Sequence, residues 1–296
     1  MKRIAELPMA LRQKLPRTLG DTYSLYVPGG QADRLKTSAL LADAVVASGP
    51  AGPRTVRSLR NAGWQGIALF DRAAYLDPSM PLDVEKWFEE QRQAEADRLL
   101  TPSRFVSSEV GHLSFDDQIE TEVLLATESD ATCVIAIDYR WLTKSAQHDE
   151  MLRSLCALAC PVALVLADRG DPLGHLGAVD ALVAVIRRVS QLSLLRIDHA
   201  GVGALAFDAA HASIGLSTML RHAVPPTTTA QAIPHDRTAR VFLIDLMDSF
   251  TGATIAGWST TWIVLQATSS RSGSRLRATR RRIWWALQWQ PSRWRR

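Results

Sequence analysis

Eight short apolar or β-branched runs, each followed by a turn and then by residues of helical periodicity, constrain this chain more than any other feature. The runs are YSLYVP from Tyr23, ALLADAVVAS from Ala39, GIALF from Gly66, SRFVSS from Ser103, TCVIAI from Thr132, PVALVLA from Pro161, LSLLRI from Leu192 and ASIGLS from Ala212. That rhythm is the pattern of consecutive βα units. Between the runs, DVEKWFEEQRQAEADRLL keeps Val84, Trp87 and Phe88 on one side, and SFDDQIETEVLLATE opens with Ser114 and Asp117 at capping-box spacing. Met151, Leu152, Leu155 and Cys156 make a third stripe, and Val179, Leu182, Val183 and Ile186 a fourth. At 296 residues and 47% hydrophobic content the chain has material for one barrel or two ordinary domains. Eight parallel strands in this length predict an α/β fold, a closed (β/α)8 TIM-like barrel over residues 21–258, with an open doubly wound sheet as the alternative.

The formal charge of +4 is concentrated at one end. From Trp262 to Arg296 there are nine Arg, five of the nine Trp and no acidic residue, which leaves 25 basic against 30 acidic side chains before it. Residues 1–20 read as an N-terminal extension and residues 259–296 as a basic Arg/Trp-rich tail outside the barrel. Two expectations attach to that tail: a disordered or aberrant end, truncated or out of frame, or an arm whose guanidinium and indole groups contact RNA or an anionic membrane. No run of eighteen apolar residues and no cleavable leader occurs, so no membrane span is expected and the cytoplasm is the expected compartment. Cys133, Cys156 and Cys160 are spaced as buried reduced thiols, the last two on one helix, rather than as a disulfide framework or a metal pair. The oligomeric state is left open.

Active sites of such barrels lie at the carboxyl ends of the strands. There the sequence places Asp71, Glu109, Asp138, Asp168 and Asp198, and arginines follow three of them, at Arg72, Arg140 and Arg169. Any one aspartate after a strand reads equally as a cap or turn residue. Five carboxylates around one mouth repel one another unless a cation, shared protons or a ligand offsets them. After the seventh run, Gly201-x-Gly203-x-x-Ala206 superficially resembles a dinucleotide fingerprint, but Arg221 stands where its acidic residue belongs. The glycines then read as a sharp turn exposing amides to a phosphate, with Ser217, Arg221 and His222 beyond, or as tight packing alone. His112 and His175 are candidate acid–base groups or solvated loop residues, and Gly29 and Gly30 an anion nest or a plain turn. HExxH, Walker, GxSxG and paired CxxC motifs do not occur.

Asp71-x-x-x-Tyr75 after the third run is similar to the Asp-Ser-Gly-Gly-Phe element of tRNA-guanine transglycosylases, and HAGVGALAFDAAHASIGLS resembles the Gly-x-Gly helix and strand near that family's end. The resemblance spans residues 60–222 and implies a barrel of the pentosyl-transferring type acting on or recognising a nucleoside-like or phosphorylated ligand, with tRNA as partner. It implies Asp71 as the acid–base or base-positioning group and Asp138 and Asp198 as further catalytic carboxylates. Ligand contacts would come from Tyr75, Glu109, Arg140, Asp168, Arg169, His199, Gly201, Gly203, Ser217 and Arg221. Two departures stand out. GLSTMLRH holds no carboxylate where the family's nucleophile belongs, and no Cys follows Cys160, so the family's zinc ligands are absent. Two other readings follow from the residues: a TIM-barrel enzyme for a small phosphorylated metabolite, with Gly201, Gly203 and Ser217 binding the phosphate and the carboxylates holding Mg²⁺, and a non-catalytic interaction barrel.

Overall fold

The eight apolar runs form eight strands: β1 Thr22–Pro28, β2 Ala44–Ser48, β3 Ile67–Asp71, β4 Phe105–Val106, β5 Cys133–Asp138, β6 Val162–Ala167, β7 Leu192–Ile197 and β8 His211–Gly215. The computed structural model describes residues 22–30, 43–109, 113–226, 240–243 and 248–251. The strands pair in parallel in the order β3-β2-β1-β8-β7-β6-β5-β4. The first strand therefore lies beside the last, as in a (β/α)8 barrel, and the two edges of the order are the consecutive strands β3 and β4. A short crossing joins those edges. Asp97 donates its N–H to the Ala68 carbonyl at 3.0 Å and accepts the Ala68 N–H on Oδ2 at 2.7 Å, while Thr132 of the β5 entry donates to Leu99 at 2.9 Å and accepts from Thr101 at 3.1 Å.

The connecting helices are α1 Gly52–Asn61, α2 Val84–Gln93, α3 Phe115–Glu128, α4 Arg140–Thr143, α5 Ser145–Ala157, α6 Ala178–Arg188 and α7 Ala200–Ala206. Helix α3 begins with the expected box: Ser114 Oγ accepts the Asp117 N–H and the Asp117 carboxylate accepts the Ser114 N–H, satisfying two amides that the helix itself leaves free. Trp87 and Phe88 of α2 are buried as expected. Two stripes are corrected. In α6 the buried face is Ala178, Leu182, Val185 and Ile186, with Val179 exposed, and in α5 Cys156 is exposed at the last turn. Helix α5 ends at Ala157, so Cys160 falls beyond it and is half-buried; of the three thiols only Cys133 lies in the core.

Two kinds of core result. Outward-facing strand residues such as Ile135, Leu164 and Leu194 pack against Met151, Leu155, Leu182 and Val185 of the helices. Inward-facing residues from β1, β2, β3, β5, β6 and β7, among them Tyr26, Val46, Leu69, Val134, Ala163 and Leu195, form one group in the lumen. Such a group requires a curled wall, which excludes the open sheet.

The lumen is capped from within. The β6–β7 ladder stops at Val165–Leu195, and the β7–β8 register shifts between Leu194 and Ile197, where Arg196 adopts φ 53°. Such a bulge bends its strand away and re-aims a side chain. The vacated edge of β6 is taken by the chain after β8: Ala223 donates to Leu166 at 2.9 Å and accepts from Asp168 at 3.0 Å. Leu220 and Ala223 of this strap, residues 216–223, join the lumen group.

The chain divides into two compact units, residues 1–231 and 232–296. In the second, β9 Arg240–Leu243 and β10 Asp248–Thr251 pair antiparallel. Residues 1–20 and the whole Arg/Trp tail, 259–296, lie outside the described residues, as does His112. Among the described residues no helix is long and apolar enough to cross a membrane.

Candidate functional site

Asp71, the last residue of β3, is wholly buried. Its Oδ2 accepts from the Tyr26 and Tyr75 hydroxyls, each at 2.6 Å, and its Oδ1 from the Ala73 N–H at 2.8 Å. A buried carboxylate persists only when its lone pairs are met and a counter-charge is near. The counter-charge here is Arg196, 6% exposed, whose guanidinium lies 5.9 Å from the Tyr26 ring centroid. Its Nε and Nη2 donate to the carbonyls of His222 and Met219 at 2.8 and 2.7 Å, which ties the strap down. Burial and the Asp71 charge push both tyrosine hydroxyls well above their usual range, so they serve as neutral donors. Burial opposes the Arg196 charge, but its surroundings, the Asp71 carboxylate among them, more than offset it.

Of the remaining carboxylates, Asp138, Asp168 and Asp198 each hold hydrogen-bond partners of their own. Asp138 is 2% exposed and takes a bidentate bond from its near neighbour Arg140, Nε to Oδ1 at 2.9 Å and Nη2 to Oδ2 at 2.6 Å. The bond to Asp138 raises Arg140, and the exposed Glu109 adds to the same field. Asp198 Oδ1 accepts the Ala200 N–H at 2.8 Å, so a carboxylate already caps the first turn of α7. Arg72 turns away and stacks on Trp87 at 5.3 Å. Arg169 gives Asp168 only its backbone N–H, at 2.7 Å.

Asp168, at the end of β6, also binds His175 Nε2 through Oδ2 at 2.9 Å. The His175 ring stacks on Tyr139, with centroids 3.7 Å apart and planes 10° apart. A carboxylate on one ring nitrogen and an aromatic face on the ring fix its tautomer and orientation, and leave Nδ1 to act. Next to this dyad the strap brings His222, which burial lowers while the charges of Asp171, Asp168 and Asp198 raise it. Arg221 is half-buried, with Nε lacking a hydrogen-bond partner in the protein. Asp168, His175, Asp171, Asp198, Arg221 and His222 thus share the β6–β8 side of the rim, Asp138, Arg140 and Glu109 the β4–β5 side, and Asp71 and Tyr75 lie below the strap.

The glycines favour the packing reading. A Cβ on Gly201 would sit 2.7 Å from Ile197 Cγ2 and 3.3 Å from Ala212 Cβ, whereas Gly203 has open space. Gly29 is a plain turn: its N–H donates to Ser48 and a Cβ there would collide with the Ser48 carbonyl. Ser217 is exposed, its carbonyl accepting the Leu220 N–H, and His199 is half-buried at the start of α7. Among the described residues no three His, Cys, Asp or Glu side chains converge on a point where a metal ion would fit, so the crowded acids form no ready Mg²⁺ cage. Sequence reasoning did not single out Tyr26 or Arg196 as site residues. Arg196 carries the clearer signal, a cation inside the apolar run LSLLRI.

These features define a class, the parallel (β/α)8 barrel with polar residues gathered at the carboxyl ends of its strands. No protein-family model and no curated protein matches the sequence. Among solved structures the chain is similar to 3-dehydroquinate dehydratase from Aquifex aeolicus, at 13% identity over 69% of this chain and 93% of that one, with a TM-score of 0.43. It is also similar to a mutant tryptophan synthase alpha subunit from Pyrococcus furiosus, at 13% identity over 67% of this chain and 88% of that one, with a TM-score of 0.41. Likenesses this distant say nothing of function, and the architecture rests on strand order and register. The expected kinship with tRNA-guanine transglycosylases is corrected: the similar solved structures are of other kinds, and Asp71 and Tyr75, which carried the resemblance, hydrogen-bond to each other inside the lumen.

Proposed function

We propose that the chain is a barrel enzyme that performs acid–base chemistry on a small anionic metabolite at the β6–β8 side of the rim. The observation that carries this reading is the Asp168–His175 bond of 2.9 Å beneath the Tyr139 stack, because an oriented imidazole with one nitrogen unspent is what proton transfer to a ligand needs. In this reading Nδ1 of His175 takes or gives the proton, His222 is the second acid–base group, and Arg221 holds a carboxylate or phosphate. Asp138 serves to hold Arg140, and Asp71 to support the floor below the strap.

Incubation of the full chain in D2O with hydroxy acids, keto acids and sugar phosphates, read by mass spectrometry, tests the reading. Deuterium enters one of these compounds, and His175→Gln lowers the rate by about 100-fold or more. Turnover that survives His175→Gln overturns the assignment. A second reading, the non-catalytic interaction barrel, draws on the exposed apolar side chains of the rim loops, Leu176 at 99%, Met219 at 71% and Leu113 at 66%. Failure of every compound to react or to shift the thermal midpoint favours that second reading.

A further inference from the structure

Below the strap, one side of the lumen is polar along its whole height. Ala212 and Ile214 of β8 lie against Gly201 of α7, so the alternate residues His211 and Ser213 face inward. Register places Ser213 beside Ser24 of β1 and His211 beside Ser193 of β7. Ser24 shares the inward face of Tyr26, and Ser193 that of Leu195. Ser24, Ser213 and His211 are 1%, 0% and 2% exposed, yet Ser24 Oγ, Ser213 Oγ and His211 Nε2 have no hydrogen-bond partner in the protein. At the upper end Arg196 Nη1, beside Tyr26, is buried in the same condition. At the lower end Ser193 is only half-buried.

Buried polar atoms in folded proteins nearly always find a partner, in the protein or in ordered water. Four of them on three adjacent strands, with the small Ala163 of β6 in register beside Ser193, describe a lumen built to be wet. We propose that this stripe binds a file of ordered water running from the barrel floor at Ser193 to the Tyr26–Asp71–Tyr75 network, and that protons reach those hydroxyls along it. Each transfer passes one proton from donor to acceptor along a hydrogen bond and receives another behind it, so no charge accumulates and no covalent bond beyond O–H and N–H changes. Burial holds His211 down at about 4, so at neutral pH its imidazole joins the file as an uncharged donor and acceptor. The inference is independent of the chemistry assigned to the rim.

Oxygen-17 relaxation dispersion on the full chain counts long-lived internal water, and NMR exchange measures how fast the Tyr26 and Tyr75 hydroxyl protons leave. Ser213→Val, which blocks the stripe with an apolar side chain, is expected to remove long-lived water and to slow hydroxyl exchange by an order of magnitude. Ser24→Ala, the gentler variant, is read the same way and decides the matter if Ser213→Val does not fold. An unchanged water signal or an unchanged exchange rate in the folded variant overturns the proposal. So does a rise in thermal midpoint with Ser24→Ala, the sign of a hydroxyl that was dry and unpaired.

Discussion

His211 shows what one buried side chain does to the whole molecule's response to acid. Its imidazole is held down at about 4 by burial, against the 6.5 of an unfolded chain. Below pH 6.5 the unfolded chain takes a proton that the folded one refuses, so stability is full above that pH and falls as the pH drops toward about 4. The loss amounts to about 3 kcal/mol, and His222, lowered chiefly by burial, adds in the same direction. Urea denaturation at a series of pH values checks this, and His211→Gln should flatten the slope across that window whatever it does to stability at neutral pH. Nothing in HASIG marks this histidine as buried and neutral. Its state is set by burial between β1 and β7, where Thr22 and Ser193 lie beside it in register, which no local pattern reveals. Asp71 and Asp138 were legible as strand-end carboxylates, yet their partners separate them: Arg140 lies two residues from Asp138, whereas Tyr26 and Arg196 reach Asp71 from distant strands.

At the scale of elements, local rules carried far. The strands were legible because apolar runs bounded by turns admit few other readings, and α3 because Ser114 and Asp117 announce its first turn. Helix α1 was not singled out: GPRTVRSLRN offers only Val56 and Leu59 as apolar anchors, and its buried face is completed by Gly52, Pro53 and Thr55, which no apolar pattern announces. The β7 bulge was invisible for a related reason, since Arg196 takes a positive φ without the glycine that usually advertises one. The two glycines of α7 separate packing from permissiveness. Gly201→Ala should destabilise by about 1–3 kcal/mol, because its Cβ meets Ile197 at 2.7 Å. Gly203→Ala, with open space around it, should gain about 0.5–1 kcal/mol through helix propensity. Thermal and chemical denaturation of the two variants side by side checks the contrast.

At the scale of the molecule, closure was legible from the number of βα units, while the way it is achieved was not. The ring meets itself through Asp97, which both donates to and accepts from Ala68 and lies 3.7 Å from Arg60. Asp97→Ala should cost about 2 kcal/mol through the lost bond to the Ala68 amide. That amide should exchange its hydrogen with solvent much faster than those of Val134 or Leu164, which hydrogen-exchange mass spectrometry or NMR reads directly. A wall joined there by a few bonds of Asp97, Leu99 and Thr101 rather than by a long ladder is the natural place for the ring to part. Leu100 and Thr101 are buried in that seam, so new termini or an inserted peptide between residues 97 and 101 would sever the bonds that close the wall, and permuted or expanded versions of this barrel are best opened elsewhere.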